Sequence, residues 1–303
     1  LAIIAPGGAL KSREIRFYRL RIQSEKGWTP FSSTLTIEAG IEGHEFESSA
    51  IGDQSKHGDP APLLRKELDL KEKPTKARLY VSSQGLNEMS INGLKVGDEF
   101  LSPGWTSYHK RLNVSAFDIT HLLTPGTNAI GAKLGDGWWR GKFGFQNQFD
   151  NYGTDISVVA QIEITFADGS TQVIHTDKTW KTSSAELVFA DIYDGAKIDF
   201  NRRQVGWNKA GFDDSSWSAA VERALDKNLL IPRINSPVRI IDEFVMVPVA
   251  QTDRVLLKGE QNISGWVRLT LDGKKGQTVT VRHSEVLEPG EKLHTKALRS
   301  AKA

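Results

Sequence analysis

The chain has 303 residues, 39% of them hydrophobic and 25% charged, with 39 Lys and Arg against 37 Asp and Glu and no cysteine. The missing cysteine excludes a disulfide framework, a cysteine-ligated metal centre and a thiol nucleophile. A mean hydropathy of -0.37, with no apolar run near the roughly 20 residues of a spanning helix, argues against a membrane partner, and a net charge of +2 without a block of like charges argues against nucleic acid.

In chain order, almost every structured stretch reads as strand. Ile15 to Ile22 alternates apolar and polar residues, as does Thr34 to Ile37 beyond the turn Trp28-Thr29-Pro30. The stretches 77–82, 88–91, 129–134, 157–166, 172–175, 267–271 and 278–282 follow. Turn signals such as Asn92-Gly93, Pro125-Gly126, Asp168-Gly169 and Asp272-Gly273 separate many of them. Helical pattern is weak, with one turn expected over 116–123 and another over 215–223. Trp138-Trp139 reads as extended chain, which would turn the two indoles to opposite sides. The expected fold is all-β, as tandem antiparallel β-sandwiches.

Two polar, Gly- or Pro-bearing stretches, 52–62 and 225–237, divide the chain into residues 1–50, 51–228 and 229–303. The outer parts hold too few strands to close a sandwich alone. Leu1 is not a methionine and 1–10 lacks the basic start of a signal peptide, so a processed chain or a fragment of a longer polypeptide is expected. The compartment stays open between cytoplasm, periplasm and exterior.

Several segments then become specific together. Ala77-Arg78-Leu79-Tyr80-Val81, Ile91-Asn92-Gly93, Pro103-Gly104-Trp105, Phe117-Asp118-Ile119-Thr120 and Leu134-Gly135-Asp136-Gly137-Trp138-Trp139-Arg140-Gly141 occur in succession, followed by Tyr193-Asp194-Gly195, Gly206-Trp207 and Phe212-Asp213-Asp214-Ser215-Ser216-Trp217. Their order and spacing resemble the N-terminal β-sandwich region of bacterial α-L-rhamnosidases. Gly259 to Leu269 and Arg282 to Leu287 resemble the concanavalin-like sandwich that follows it, and 1–50 the tail of a fibronectin-type domain. The resemblance implies a jelly-roll-like central domain between a partial fibronectin-type piece and a partial concanavalin-like one. It also implies a parent enzyme, a glycoside hydrolase, that removes terminal α-L-rhamnosides with inversion. That chemistry needs two carboxyl groups about 6.5–9.5 Å apart, which the family carries on a C-terminal helical barrel. No segment of this sequence matches that barrel, so it is expected as a partner elsewhere in the same polypeptide, and no catalytic residue is assigned here.

The family resemblance further implies calcium as a cofactor and L-rhamnose, or a rhamnose-containing glycan, as ligand. Asp150-Asn151 is the single Asp-Asn step in the chain, and a hard cation takes several oxygen ligands in irregular geometry. The metal set implied is Asp150, Asn151 and Asp155, with Asn201 joining the ligand-binding residues. Trp139 and Trp180 are the expected exposed pair for stacking on a pyranose. One departure is Ala196, where the family commonly has Glu after Tyr-Asp-Gly.

Three further readings stay open. Asp150-Asn151 is also ordinary turn chemistry, which leaves a purely structural scaffold without ligand. An independent lectin-like module predicts calcium-dependent sugar affinity. A stand-alone enzyme requires Asp194, Asp199, Glu260 and Glu285 to come together.

Overall fold

The computed structural model of the protein describes residues 7–251 and 254–302. Residues 1–6 and 303, on which the reading of the chain ends partly rests, lie outside that range. Two sheets form the centre of the molecule. One runs in spatial order Val221–Arg223, Ala50–Gly52, Ser157–Thr165, Lys76–Gln84, Leu112–Asp118 and Leu230–Pro232, with Thr171–His175 also paired to Ser157–Thr165. The other runs Ser218–Ala219, Lys181–Ser184, Pro62–Leu70, Gly126–Gly135, Leu86–Ile91 and Leu94–Lys95. All of these pairings are antiparallel except Leu112–Asp118 with Leu230–Pro232.

Register explains why these residues make a sandwich. Ala77, Leu79 and Val81 stand opposite Ile164, Ile162 and Ala160, so one face of the first sheet is continuously apolar. Leu64 stands opposite Ala132, and Ile130 and Ala132 opposite Ile91 and Met89, which gives the second sheet a matching face. All these side chains are buried in one cluster with Ile51, Val158 and Trp180. At roughly 1.5–3 kcal/mol for each fully buried large aliphatic side chain, that shared core is the main force holding the sheets face to face. The turn Asn92-Gly93, with φ of 52° and 85°, joins the Leu86–Ile91 and Leu94–Lys95 strands as a two-residue hairpin of the kind that requires positive φ at both positions.

The outer parts are simpler. Ile15–Tyr18 pairs with Leu35–Glu38, and Val247–Gln251 with Val255–Lys258. The expected strand from Ile15 to Ile22 therefore ends at Tyr18. The expected strands at 267–271 and 278–282 are absent, because no described residue pairs with them and their side chains stay exposed. The expected helical turn over 116–123 is the end of the Leu112–Asp118 strand followed by a 3-10 turn, Thr120–Leu122. Over 215–223 the chain pairs as Ser218–Ala219 and Val221–Arg223.

Packing of turns fixes the rim. Gly43 opens a 3-10 turn against Lys227–Leu229, and a Cβ there would stand 1.9 Å from the Lys227 carbonyl oxygen. Backbone cannot yield as a side chain does, so Gly43→Ala is expected to cost about 1–3 kcal/mol by overpacking. Urea unfolding checks this, and a variant of unchanged midpoint would contradict the close approach.

The N-terminal strand pair is tied down by charge. Arg13 bridges Glu45 and Glu163, donating from Nη2 to Glu163 Oε1 at 2.5 Å. Burial alone would raise the Glu163 carboxyl, but hydrogen bonds from Arg13 and Gln161 outweigh it and hold it below its ordinary value of 4.5. Glu45 is likewise lowered, against burial, by hydrogen bonds from Ser12, the Glu42 backbone and Arg13. A depressed carboxylate contributes stability above its unfolded pKa and loses it as pH falls through the folded value. Hydrogen-exchange protection at Ile15–Tyr18 is therefore expected to fall as pH drops below about 4.5, and a Glu163→Gln variant should show weak protection already at pH 7. Protection unchanged by acid would show that these carboxylates do not hold the strand pair.

Candidate functional site

The segment between Gly126–Gly135 and Ser157–Thr165 carries the Asp-Asn step. It opens on a single helical turn, Gly137–Arg140, where the sequence suggests extended chain; Gly137 has φ 53° and turns the backbone away from the preceding strand. Arg140, 1% exposed, fixes the segment from inside. Its Nε donates to Asp136 Oδ1 at 2.8 Å and Nη1 to the Ser55 carbonyl at 2.5 Å. Asp136 Oδ2 lies 2.8 Å from His57 Nδ1, and the imidazole stacks on Phe149 with centroids 4.6 Å apart. A buried ion pair with further hydrogen bonds on both partners holds a loop in one geometry.

Asp150 sits on that support. Its backbone N–H donates to the Arg140 carbonyl at 2.8 Å, and its φ is 59°. Left-handed backbone is uncommon outside glycine, although Asp and Asn tolerate it. Its Oδ1 is buried with no hydrogen-bond partner among the described residues. Asn151 is exposed, its Nδ2 donating to the Gln148 carbonyl at 3.3 Å, which leaves its side-chain oxygen available. A buried carboxylate oxygen without a donor is costly, and an oxygen-seeking cation would remove that cost.

A second loop builds the same region: Tyr193 and Asp194 belong to a motif legible in the sequence, whereas Asp191 carries no such signal. Asp191, 8% exposed, closes the hairpin between Leu187–Asp191 and Gly195–Ile198 by accepting from the Tyr193 and Asp194 amides at 2.7 and 2.9 Å. Its other oxygen accepts from the Lys142 amide at 2.7 Å, while Lys142 Nζ meets Asp194 at 2.7 Å. The Tyr193 hydroxyl accepts from the Gly144 amide at 3.2 Å. The Tyr-Asp-Gly motif thus holds the Asp-Asn loop, and Ala196 faces solvent beyond it.

The other expected ligand residues are placed differently. Asp155 takes Lys56 Nζ at 2.8 Å and Arg223 Nη1 at 3.1 Å, one cation on each oxygen. The Lys56 hydrogen bond, against some burial and with Arg223 nearby, holds its carboxyl below the usual range. Two cations already satisfy Asp155, so its expected place in the metal set is corrected. Asn201 lies in the 3-10 turn Phe200–Arg202, where its amide and Nδ2 both donate to Asp199 Oδ1, at 3.1 and 3.0 Å; its hydrogen bonds tie it to Asp199 and not to the Asp-Asn loop. No group of three or more His, Asp or Glu is poised to share a metal among the described residues, so any calcium here would lean on amide and carbonyl oxygens.

The expectation of an exposed tryptophan pair is overturned. Trp180 is 1% exposed in the shared core, its Nε1 donating to the His175 carbonyl at 3.0 Å. Trp139 is 8% exposed, donates to the Asp155 carbonyl at 2.9 Å and packs with Tyr108 and Tyr152. Neither indole presents a face for a sugar ring. The aromatic groups that the Asp-Asn loop does expose are Phe145 and Phe149.

The four carboxylates that a stand-alone enzyme would need are dispersed in role. Asp194 is paired with Lys142, Asp199 caps a turn, and Glu260 and Glu285 are exposed.

Comparison with known proteins places this geometry. Residues 72–242 match the model of the α-L-rhamnosidase N-terminal domain, and 250–303 that of the bacterial α-L-rhamnosidase concanavalin-like domain. An α-L-rhamnosidase of Streptomyces avermitilis is 33% identical over 284 residues, 92% of this chain and 26% of that protein. One from Alteromonas sp. strain LOR is 31% identical over 311 residues, 97% of this chain and 34% of that protein. Among solved structures, native α-L-rhamnosidase from Aspergillus terreus superposes with a TM-score of 0.91 at 32% identity, covering 98% of this chain and 36% of that one. The Streptomyces avermitilis enzyme complexed with L-rhamnose does so with a TM-score of 0.76 at 30% identity, covering 94% of this chain and 30% of that one. The chain spans about a quarter to a third of the length of these curated relatives.

Proposed function

Because the chain belongs to the α-L-rhamnosidase family, we propose that it serves as the N-terminal accessory part of a glycoside hydrolase acting on terminal α-L-rhamnosides, and that it holds L-rhamnose through calcium at Asp150 and Asn151. The observation that carries the sugar site is Asp150 itself, with left-handed backbone and a buried carboxylate oxygen that no donor among the described residues meets. Bound there, calcium would supply a Lewis-acidic centre on which two vicinal sugar hydroxyls replace water. Asp150 Oδ1 and the Asn151 side-chain oxygen would hold the ion, while Arg140, Asp191 and Tyr193 keep the loop in place. Phe149 offers an apolar edge to the sugar.

Support of a catalytic barrel elsewhere in the polypeptide accounts for a second feature. Ile241, Val245 and Trp266 are 95%, 78% and 52% exposed, and exposed apolar side chains that form a patch mark a protein contact. The sandwich thus acts as both platform and recognition element, and the carboxylate pair for hydrolysis belongs to the barrel.

Titration calorimetry of L-rhamnose with and without Ca²⁺ tests the reading. Heat of binding is expected only with the ion and is expected to vanish in Asp150→Ala/Asn151→Ala. Binding that persists in EDTA, or in the double variant, would remove the site from this loop; no binding under any condition would leave the platform role alone.

A further inference from the structure

The Asp-Asn loop and the hairpin carrying Tyr193 meet a third element, the segment 299–302 of the concanavalin-like part. We propose that this segment is a clasp that sets the geometry of the Asp-Asn loop, with Ser300 Oγ and the Lys302 amide as its positioning groups, and that docking of the clasp is coupled to ligand binding at Asp150 and Asn151. The coupling rests on the calcium and rhamnose site proposed for that loop; the clasp itself does not.

A closed ring of contacts joins the three elements, because Gly144, Tyr193 and Asp194 each bond to both of the others. Gly144, in the loop, donates its amide to the Tyr193 hydroxyl at 3.2 Å and accepts from Ser300 Oγ on its carbonyl at 3.3 Å. Tyr193, in the hairpin, also accepts from the Lys302 amide on its own carbonyl, at 2.8 Å. Asp194 Oδ2 meets Lys142 Nζ at 2.7 Å and Lys302 Nζ at 3.5 Å. The Lys302 ion pair is long and exposed and contributes little, so the amide bond to Tyr193 carries most of the hold. No element can shift without loosening bonds to both others.

The segment is shaped for this contact. Arg299 ends the 3-10 turn Thr295–Leu298 with φ 55°, a backbone that side chains other than glycine rarely adopt and that persists where the surroundings over-determine it. The Arg299 and Ala301 amides donate to the Lys296 and Leu298 carbonyls at 3.2 and 2.9 Å, and the Arg299 guanidinium stands 5.9 Å from the ring centroid of Phe145, within the range of a cation–π contact. From the clasp the hold reaches the proposed ligand residues directly. Beside Gly144, the Phe143 amide donates to the Gln148 carbonyl at 3.1 Å, and that same carbonyl accepts from Asn151 Nδ2 at 3.3 Å. Fixing Gly144 therefore fixes the oxygen that orients Asn151.

Amide hydrogen exchange on the whole chain, with and without Ca²⁺ and L-rhamnose, tests the proposal in Ser300→Ala, Lys302→Pro and Lys302→Ala. Without ligand, exchange over 143–150 should quicken by about threefold in Ser300→Ala, the order expected for loss of one hydrogen bond, and by more in Lys302→Pro, which removes the amide donor. Lys302→Ala keeps that donor and should stay within about twofold of the unaltered protein. The strand Gly126–Gly135 should exchange alike in all four proteins. With ligand, exchange of the Lys302 amide in the unaltered protein should slow by about fivefold, the lower end of ordinary coupling, and rhamnose affinity should fall by a similar factor in Lys302→Pro, since coupling is reciprocal. Loop exchange unmoved in both Ser300→Ala and Lys302→Pro would overturn the clasp, as would a rise spread equally to Gly126–Gly135, which would make these residues general stabilisers. Faster loop exchange with unchanged rhamnose affinity would overturn the coupling. An unaltered protein that binds no rhamnose would remove the sugar site and the coupling together, while the ligand-free exchange still decides the clasp.

Discussion

Replacing Arg65 by methionine is expected to destabilise the protein by about 3 kcal/mol, the lower end of what removing one partner of a buried charge pair costs. Arg65 lies on Pro62–Leu70, the strand between Lys181–Ser184 and Gly126–Gly135, and its side chain is 1% exposed. It donates to the Trp207 carbonyl at 2.8 Å and the Lys209 carbonyl at 3.2 Å, and it pairs with Asp214 and with Glu67 at 2.5 Å. One guanidinium therefore pins the loop 204–217 to the outside of the second sheet. Removing it leaves two carbonyls and two carboxylates short of a donor. Methionine recovers part of the packing against Phe212, and Lys181 stays on Asp214 at 2.6 Å, which limits the loss. Chemical denaturation read by far-UV circular dichroism measures it, and a loss under about 1 kcal/mol would mean that the loop is held mainly by stacking of Trp207 on Trp217.

Trp180→Ala is expected to cost about 3–5 kcal/mol, as for large aromatic truncations in a close-packed core. The indole is among the largest fully buried side chains, and its N–H is satisfied by the His175 carbonyl. The change opens a void and leaves that carbonyl unpaired, both well inside the joint between the two sheets. A milder Trp180→Phe variant separates the two contributions, since it keeps most of the volume and loses only the hydrogen bond. Rhamnose affinity in Trp180→Phe should equal that of the unaltered protein. A variant that kept its stability and lost sugar affinity would restore Trp180 to the ligand.

How far the sequence could be read depended on where each residue found its partner. The strands at 77–82, 88–91, 129–134, 157–166 and 172–175 form because each lies in a sheet with a buried apolar face. The stretches 267–271 and 278–282 alternate equally well and form no strand. Alternation states that one face is apolar; it does not supply a neighbouring edge, and none is present among the described residues. Trp139 misled for a local reason. Gly137 at positive φ starts a helical turn, and the glycines of Gly135-Asp136-Gly137 were the available sign that the strand stops there. Asp155 misled for a distant one, since its partners lie 99 residues earlier and 68 residues later, and no linear pattern pairs them. The Asp-Asn step could be picked out as a candidate because the chemistry proposed for it is contained in two adjacent side chains. Of its supports, Tyr193 belonged to a family motif whose physical task is hydrogen bonding back to the loop, and Asp191 carried no sequence signal.

The most direct test of the account is to map where L-rhamnose meets the chain, by following backbone amides of the isotopically labelled protein as the sugar is added in the presence of Ca²⁺. The account predicts calcium-dependent shifts at Gln148, Asn151 and Tyr152, with none around Trp180. Shifts confined to any other surface, or none in this loop with calcium present, would contradict it.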